Sequence, residues 1–247
     1  VYIPRIFLNK KINIHEKIEL NTLTFHYCIH VIRLKIGNIV HIFNNTNYIF
    51  ISTIINIKKN SILVQIKEKK QDNRESKLNI HLGQTISKRM NMTLEKSVEL
   101  GVNSITPIIP NQKNRINELK KKINQKILHW KKIIIAACSQ SKRNIVPTLG
   151  SAQTLSEWCQ QIPRNSTKII FTLKAKKSIY HVPSHYKNIY ILIGKETGFT
   201  NPDIQLAKEK NFLSISLGPR VLRTETSSIV AIAALETHLG KKTKKNN

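Results

Sequence analysis

The chain has 247 residues, 40% of them hydrophobic, which is enough for one large or two modest domains with a real core. It carries 41 Lys and Arg against 14 Asp and Glu, a formal net charge of +27. The expected partner is therefore a polyanion, since such a field draws in nucleic acid and phosphate contacts then gain from counterion release. An AT-rich coding bias toward Lys, Ile and Asn is the competing source of that charge. The longest apolar runs, such as Ile229–Leu235, fall far short of the roughly 20 residues of a membrane span. Cys28, Cys138 and Cys159 form no metal-ligand or disulfide spacing, which suits a reducing cytoplasm and predicts no metal. The opening residues VYIPRIFLNK lack the apolar stretch of a signal peptide.

Residues 1–71 read mostly as short β-branched strands, at 5–9, 38–44, 48–57 and 61–69, separated by Asn- and Lys-rich breaks. One helix, near 24–34, interrupts them. This is the pattern of a small β-barrel, and the polar stretch 67–77 reads as a linker. From residue 72 to 247 the rhythm changes to alternating strands and helices, which predicts an α/β domain with a largely parallel sheet. Strands are expected at 78–86 and 104–110, with a helix over 92–101 that ends at Gly101. Leu119, Ile123, Ile127, Trp130, Ile134 and Ala137 recur at helical steps and predict one long helix over 117–140. A short helix at 154–161 follows, then strands at 168–174 and 188–194. A helix over 202–211 comes next, capped by Thr200 or Asn201, then a strand at 212–218 and a closing helix from Thr224, itself the expected cap. The tail KKTKKNN (241–247) is expected to be disordered and to help hold phosphate.

Open α/β sheets bind ligands beyond the carboxyl ends of their strands. Two such ends stand out. In ILIGKETGFTNPDI a strand meets Gly194 and Gly198 before a helix start; in SISLGPRVLRTETSS a strand meets Gly218 before another. Glycine turns let backbone approach a ligand, and helix N-termini offer free N–H groups. No dinucleotide or P-loop fingerprint follows a strand. Taken alone, these loops are equally compatible with ordinary structural turns.

The stretches HLGQ, EKSVELGVNSITPI, WKKIIIAACSQSKRNIVP, ILIGKETGF and LGPRVLRTET, in that order, resemble the ribosomal RNA small-subunit methyltransferase E family. PRIFL and HVIRL near the start resemble that family's PUA-like β-barrel. The resemblance implies a PUA-like RNA-binding barrel over 1–71 and a SPOUT-type α/β domain with a trefoil knot over 72–247. It implies a homodimer, S-adenosylmethionine as methyl donor and N3 of one uridine in 16S ribosomal RNA as acceptor. It places Leu173, Ile193, Gly194, Glu196, Gly198, Leu217, Gly218 and Leu222 at the donor. Arg223 and Glu225 become the catalytic candidates, with the glutamate orienting the arginine or taking part in proton removal. Arg5, Arg33, Arg143 and Arg220 become candidates for gripping RNA. His30 and His81 are read as structural, and Ala231, Ala233 and Ala234 as close-packing positions.

The chain departs from the family pattern Gly-Pro-Glu-Gly-Gly, since Lys195 replaces proline and Thr197 a glycine. A β-branched residue resists positive φ, so this loop is expected to be remodelled or strained, and Lys195 brings a cation toward a cationic donor. Ser139 and Lys142 are also unusual, and the shortened TISKRMNM loop leaves Lys88 without a role. A non-catalytic ribosome-assembly protein with a degraded donor loop is the alternative; a methyltransferase acting on transfer RNA is a third reading.

Overall fold

The computed structural model describes residues 3–110, 115–183 and 187–240, apart from the side chain of Leu23; the tail 241–247 lies outside the described residues. The chain forms two compact units, one of Val1–Glu75 with Cys138–Val146, the other of Ser76–Ala137 with Pro147–Asn247.

In the first unit, β1 (Arg5–Phe7), β2 (Lys17–Leu20), α1 (Thr22–Phe25), β3 (Ile39–Phe43), β4 (Tyr48–Ile57) and β5 (Ile62–Gln71) follow in order, with a wide helical turn at His26–Val31 after α1. The strands form one sheet in the order β1-β3-β4-β5-β2. β1 runs parallel to β3 and the other pairs are antiparallel. Alternate Ile and Val side chains of β4 and β5 point inward, so that Ile54, Ile62, Val64 and Ile66 are buried together with Val40 and Ile42. No ladder joins β1 to β2 among the described residues, so the expected barrel is an open sheet rather than a closed one. The short, charged KIEL of β2 carried no strand signal in the sequence. The stretch 67–77 is a linker only in part, because Lys67–Gln71 continue β5 against β4.

The second unit contains β6 (Asn79–Thr85), α2 (Met90–Glu99), β7 (Ser104–Ile109), α3 (Ile116–Asn124), α4 (Ile127–Ser141, whose end belongs to the first unit), β8 (Thr148–Leu149), β9 (Gln153–Thr154) and α5 (Leu155–Gln161). Then come β10 (Thr167–Phe171), β11 (Asn188–Ile193), α6 (Asn201–Glu209), β12 (Leu213–Ile215) and α7 (Thr224–Leu239). All strand pairs are parallel, in the order β12-β10-β11-β6-β7-β8, with β9 also on β7. The central strands are apolar on both faces, as a covered parallel sheet requires: Ile169, Ile189, Ile191 and Leu192 are all fully buried.

The expected long helix over 117–140 is two helices. At the break, Lys126 N–H bonds the carbonyl of Ile123, a tightened turn, and the Asn124 side chain accepts from Ala152 N–H at 3.1 Å. The polar Asn-Gln-Lys step thus competes with helical continuation. Thr200 caps α6 through a capping box with Asp203, whereas α7 starts at Thr224 after Arg223, whose side chain makes no capping bond. Thr224 is therefore the first buried helical residue rather than the cap.

Candidate active site

Because β10, β11 and β12 are parallel neighbours, their carboxyl ends open at the same edge of the sheet. The chain goes from β10 to β11 on one side and then to β12 on the other, the reversal at which such sheets hold ligands. The loops after these three strands enclose a crevice of about 520 Å³, within the roughly 300–1,000 Å³ typical of small-molecule sites. Leu173, Ile193, Gly194, Glu196, Gly198, Leu217, Gly218 and Leu222 all line it. The structure therefore brings all eight expected residues together.

Two glycines shape the crevice for different reasons. A Cβ on Gly194 would lie 2.9 Å from the Phe199 ring, so the ring packs where a side chain would be. Gly218 has φ +113° with open space around it, and its N–H donates to Ser216 Oγ at 3.1 Å. Only the backbone conformation demands glycine there. The strain expected at Thr197 is absent, because the turn closes through Gly198 N–H to the carbonyl of Lys195 at 2.8 Å and Gly198 alone takes the positive φ in that loop. Lys195 is exposed.

The two glycine turns marked two strand ends; the third entered only through Leu173, which the resemblance placed at the donor. Phe171, the last residue of β10, and Thr172 and Ala175 after it line the same crevice. No glycine marks that loop, so nothing in the local sequence distinguished it.

Arg223 does not line the crevice, but it sits between Leu222 and Ser227, which do, and it is exposed. Glu225 lies in the first turn of α7 and is only 2% exposed. Its Oε1 pairs with Arg89 Nη1 at 3.3 Å, so its cation comes from the start of α2 and not from Arg223. A buried carboxylate predicts a cationic partner, but sequence could not say which. One turn later Ser228 Oγ donates to the buried Gln84 Oε1 of β6 at 2.5 Å and to the Thr224 carbonyl, locking α7 on the sheet.

The four expected RNA-contacting arginines divide. Arg5 is 8% and Arg143 3% exposed, both inside the first unit. Arg5 donates to the Arg143 carbonyl at 3.0 Å and to Asn144 Oδ1 at 2.7 Å, and stands over the Phe43 ring. Arg143 grips both carboxylate oxygens of Glu75. Their guanidinium groups are engaged internally, which corrects the expectation that they face RNA. Arg33, at φ +63°, and Arg220 are exposed. The three thiols are buried; burial pushes Cys28 and Cys159 up to about 11 and Cys138 up to about 12, leaving no nucleophile among them.

A family model for the RNA methyltransferase domain matches residues 74–236, and one for the RNA methyltransferase PUA domain matches 23–67. Ribosomal RNA small subunit methyltransferase E of Buchnera aphidicola subsp. Acyrthosiphon pisum is 43% identical over 96% of this chain and 94% of its own. The chain belongs to the ribosomal RNA small subunit methyltransferase E family. The corresponding methyltransferase E of Buchnera aphidicola subsp. Schizaphis graminum is 42% identical over 96% of this chain and 97% of its own. Among solved structures, a Legionella pneumophila methyltransferase in complex with its bound cofactor SAM matches with TM-score 0.88 at 34% identity, covering 96% of this chain and 98% of that one. The small subunit methyltransferase E of Neisseria gonorrhoeae bound to S-adenosyl methionine matches with TM-score 0.89 at 29% identity, covering 98% of this chain and 100% of that one. The fold is thus a PUA-like unit joined to an α/β SPOUT-type methyltransferase unit.

Proposed function

We propose that the chain is an S-adenosylmethionine-dependent methyltransferase that modifies N3 of one uridine in 16S ribosomal RNA of the small subunit. The crevice at three strand ends carries this reading, because it gathers all eight expected donor-site residues beside the arginine-bearing start of α7. Its residues fit the donor. Leu173, Ile193, Leu217 and Leu222 offer apolar walls for a flat purine, the glycine loops offer backbone groups for its edge, and Glu196 is an acceptor for the ammonium or ribose hydroxyls. When bound, the donor supplies an electrophilic methyl group on a sulfonium.

The chain's own residues must do the rest. Uracil N3 is a weak nucleophile until its proton leaves, so a cation at the uracil oxygens lowers the cost of the anion. Arg223, exposed at the head of α7, is that cation. Glu225 is too buried to reach a substrate proton and orients a cation instead. The target base must be unpaired or flipped out, since N3 lies on its pairing edge. Arg33 and Arg220 are free to meet RNA phosphates.

We further propose a homodimer in the cytoplasm, supported by the exposed apolar Leu173, Tyr180 and Val221 of the second unit and the three unpaired thiols. β12 lies at the sheet edge while α7 packs on α2, β6 and β11; a chain path returning through a loop is the expected trefoil knot. The test is incubation of the protein and S-adenosylmethionine with small-subunit RNA lacking the modification, followed by mass mapping. One N3-methyluridine is expected; an unmodified RNA, or methylation of transfer RNA alone, refutes the reading.

A further inference from the structure

We infer that Arg89 is an RNA-binding residue of this active site, holding a backbone phosphate beside the target uridine, and that Glu225 is its positioning residue. The inference rests on the methyltransferase reading and adds a residue and a role to it. Arg89 precedes α2 and Glu225 sits in the first turn of α7, 136 positions later in sequence, so only the packing of α2 on α7 brings them together. Glu225 is 2% exposed, and among the described residues its side chain meets one cation, Arg89, at 3.3 Å. The Arg89 side chain is 56% exposed. Its guanidinium has five N–H donors, and its contact with Glu225 is an ion pair in which Oε1 accepts no aligned hydrogen bond. The exposed part of the side chain lies by the first turn of α7, the helix that Arg223 precedes.

A carboxylate is costly to bury, and a stability role alone is served better by an apolar residue of the same shape. The pair makes sense as a clamp that fixes a flexible arginine with its outer donors free. Fixing the side chain before binding removes the entropy it would otherwise lose on gripping a phosphate. The pair is also locally neutral, so its field on a developing uracil anion is weak. That separates the two arginines: Arg223, which meets no carboxylate among the described residues, suits stabilisation of the anion, whereas Arg89 suits directional, bidentate hydrogen bonding to phosphate.

The experiment is steady-state methylation of small-subunit RNA by the full chain and by Arg89→Ala, Arg89→Lys and Glu225→Gln, with calorimetric titration of S-adenosylmethionine for each. Arg89→Ala is expected to raise KM for RNA about tenfold, the factor for one charge-assisted hydrogen bond, with kcat and donor affinity within about twofold of the parent. The salt dependence of RNA binding should flatten by about 0.7–0.9 in log–log slope, one phosphate contact. Glu225→Gln should raise KM less, and Arg89→Lys should recover part of the loss. A KM equal to the parent's in Arg89→Ala overturns the inference while leaving the methyltransferase reading intact. A fall in kcat at unchanged KM overturns it too, by placing Arg89 in the chemical step. A parent protein that neither binds nor methylates the RNA removes both.

Discussion

Substituting Gly194 by alanine probes the geometry of the crevice directly. The added Cβ would lie 2.9 Å from Phe199 Cε2, 3.0 Å from Cζ and 3.1 Å from Cδ2, against about 3.5–4.0 Å for carbon atoms in ordinary contact. The ring edge must therefore retreat by about half an ångström or more. Phe199 is half-buried and packs on the cluster of Ile170, Leu192 and Ala207, so retreat disturbs either that packing or the crevice that the ring borders. Overpacking of this kind costs about 1–3 kcal/mol, and if most of it falls on the donor-competent arrangement, affinity drops about 5- to 150-fold. Calorimetric titration with S-adenosylmethionine measures that drop, and thermal unfolding reports what falls on the fold instead. Adding Phe199→Leu to Gly194→Ala makes room and should restore part of the affinity. Parental affinity together with a parental unfolding midpoint in Gly194→Ala would refute the reasoning, because the added methyl group lands on the Phe199 ring and the ring must move.

Arg223→Ala should reduce methylation by two orders of magnitude or so while preserving donor affinity, as loss of a transition-state cation does; radiolabelled methyl transfer and calorimetry check the two halves. Arg143→Ala should destabilise the first unit by about 3–5 kcal/mol in denaturant unfolding, because it leaves Glu75 facing a vacated interior; the side chains are only 4% and 13% exposed. Burial holds His81 below its ordinary value of 6.5, with the side-chain hydrogen bond to Asn188 opposing, and burial does the same to His41. The unfolded chain then binds protons first, so stability should fall as pH drops below about 6.5, and His81→Asn should lessen that fall in unfolding midpoints taken between neutral and mildly acidic pH.

What the sequence disclosed and what it withheld follow from how far each signal reaches. The strand of Asn188–Ile193 and the capped helix after it were legible, because a buried apolar run, a glycine and a Thr-x-x-Asp cap all act within a few residues. The break between α3 and α4 was not, since the apolar spacing continues across it and it is marked by a tightened turn and a long-range bond that Ala152 N–H donates to Asn124 Oδ1. The crevice residues were named through the order of motifs, and of the loop after β10 this reached only Leu173, since no glycine there marks Thr172 or Ala175. Arg5 and Arg143 misled for a related reason. A guanidinium looks the same in sequence whether it meets RNA or Glu75, and its fate depends on partners far along the chain.

The same distinction governs the net charge of +27. Net charge describes a field at a distance, and fields from exposed lysines are screened within about 10 Å in ordinary salt. It explains encounter with RNA, but it cannot select a uridine, and around the crevice it works against the cationic donor: Lys174, Lys195, Lys208 and Arg220 all border it, with Glu196 the one acidic side chain in its lining. Lys174, Lys195, Lys208 and Arg220 are all exposed, so solvent blunts their repulsion of a cationic ligand in the crevice. At the rim they remain effective toward an RNA strand. The loop that carries Lys195 where the family pattern has proline therefore places a further exposed cation at the mouth of the crevice, in a turn where only Gly198 takes a positive φ.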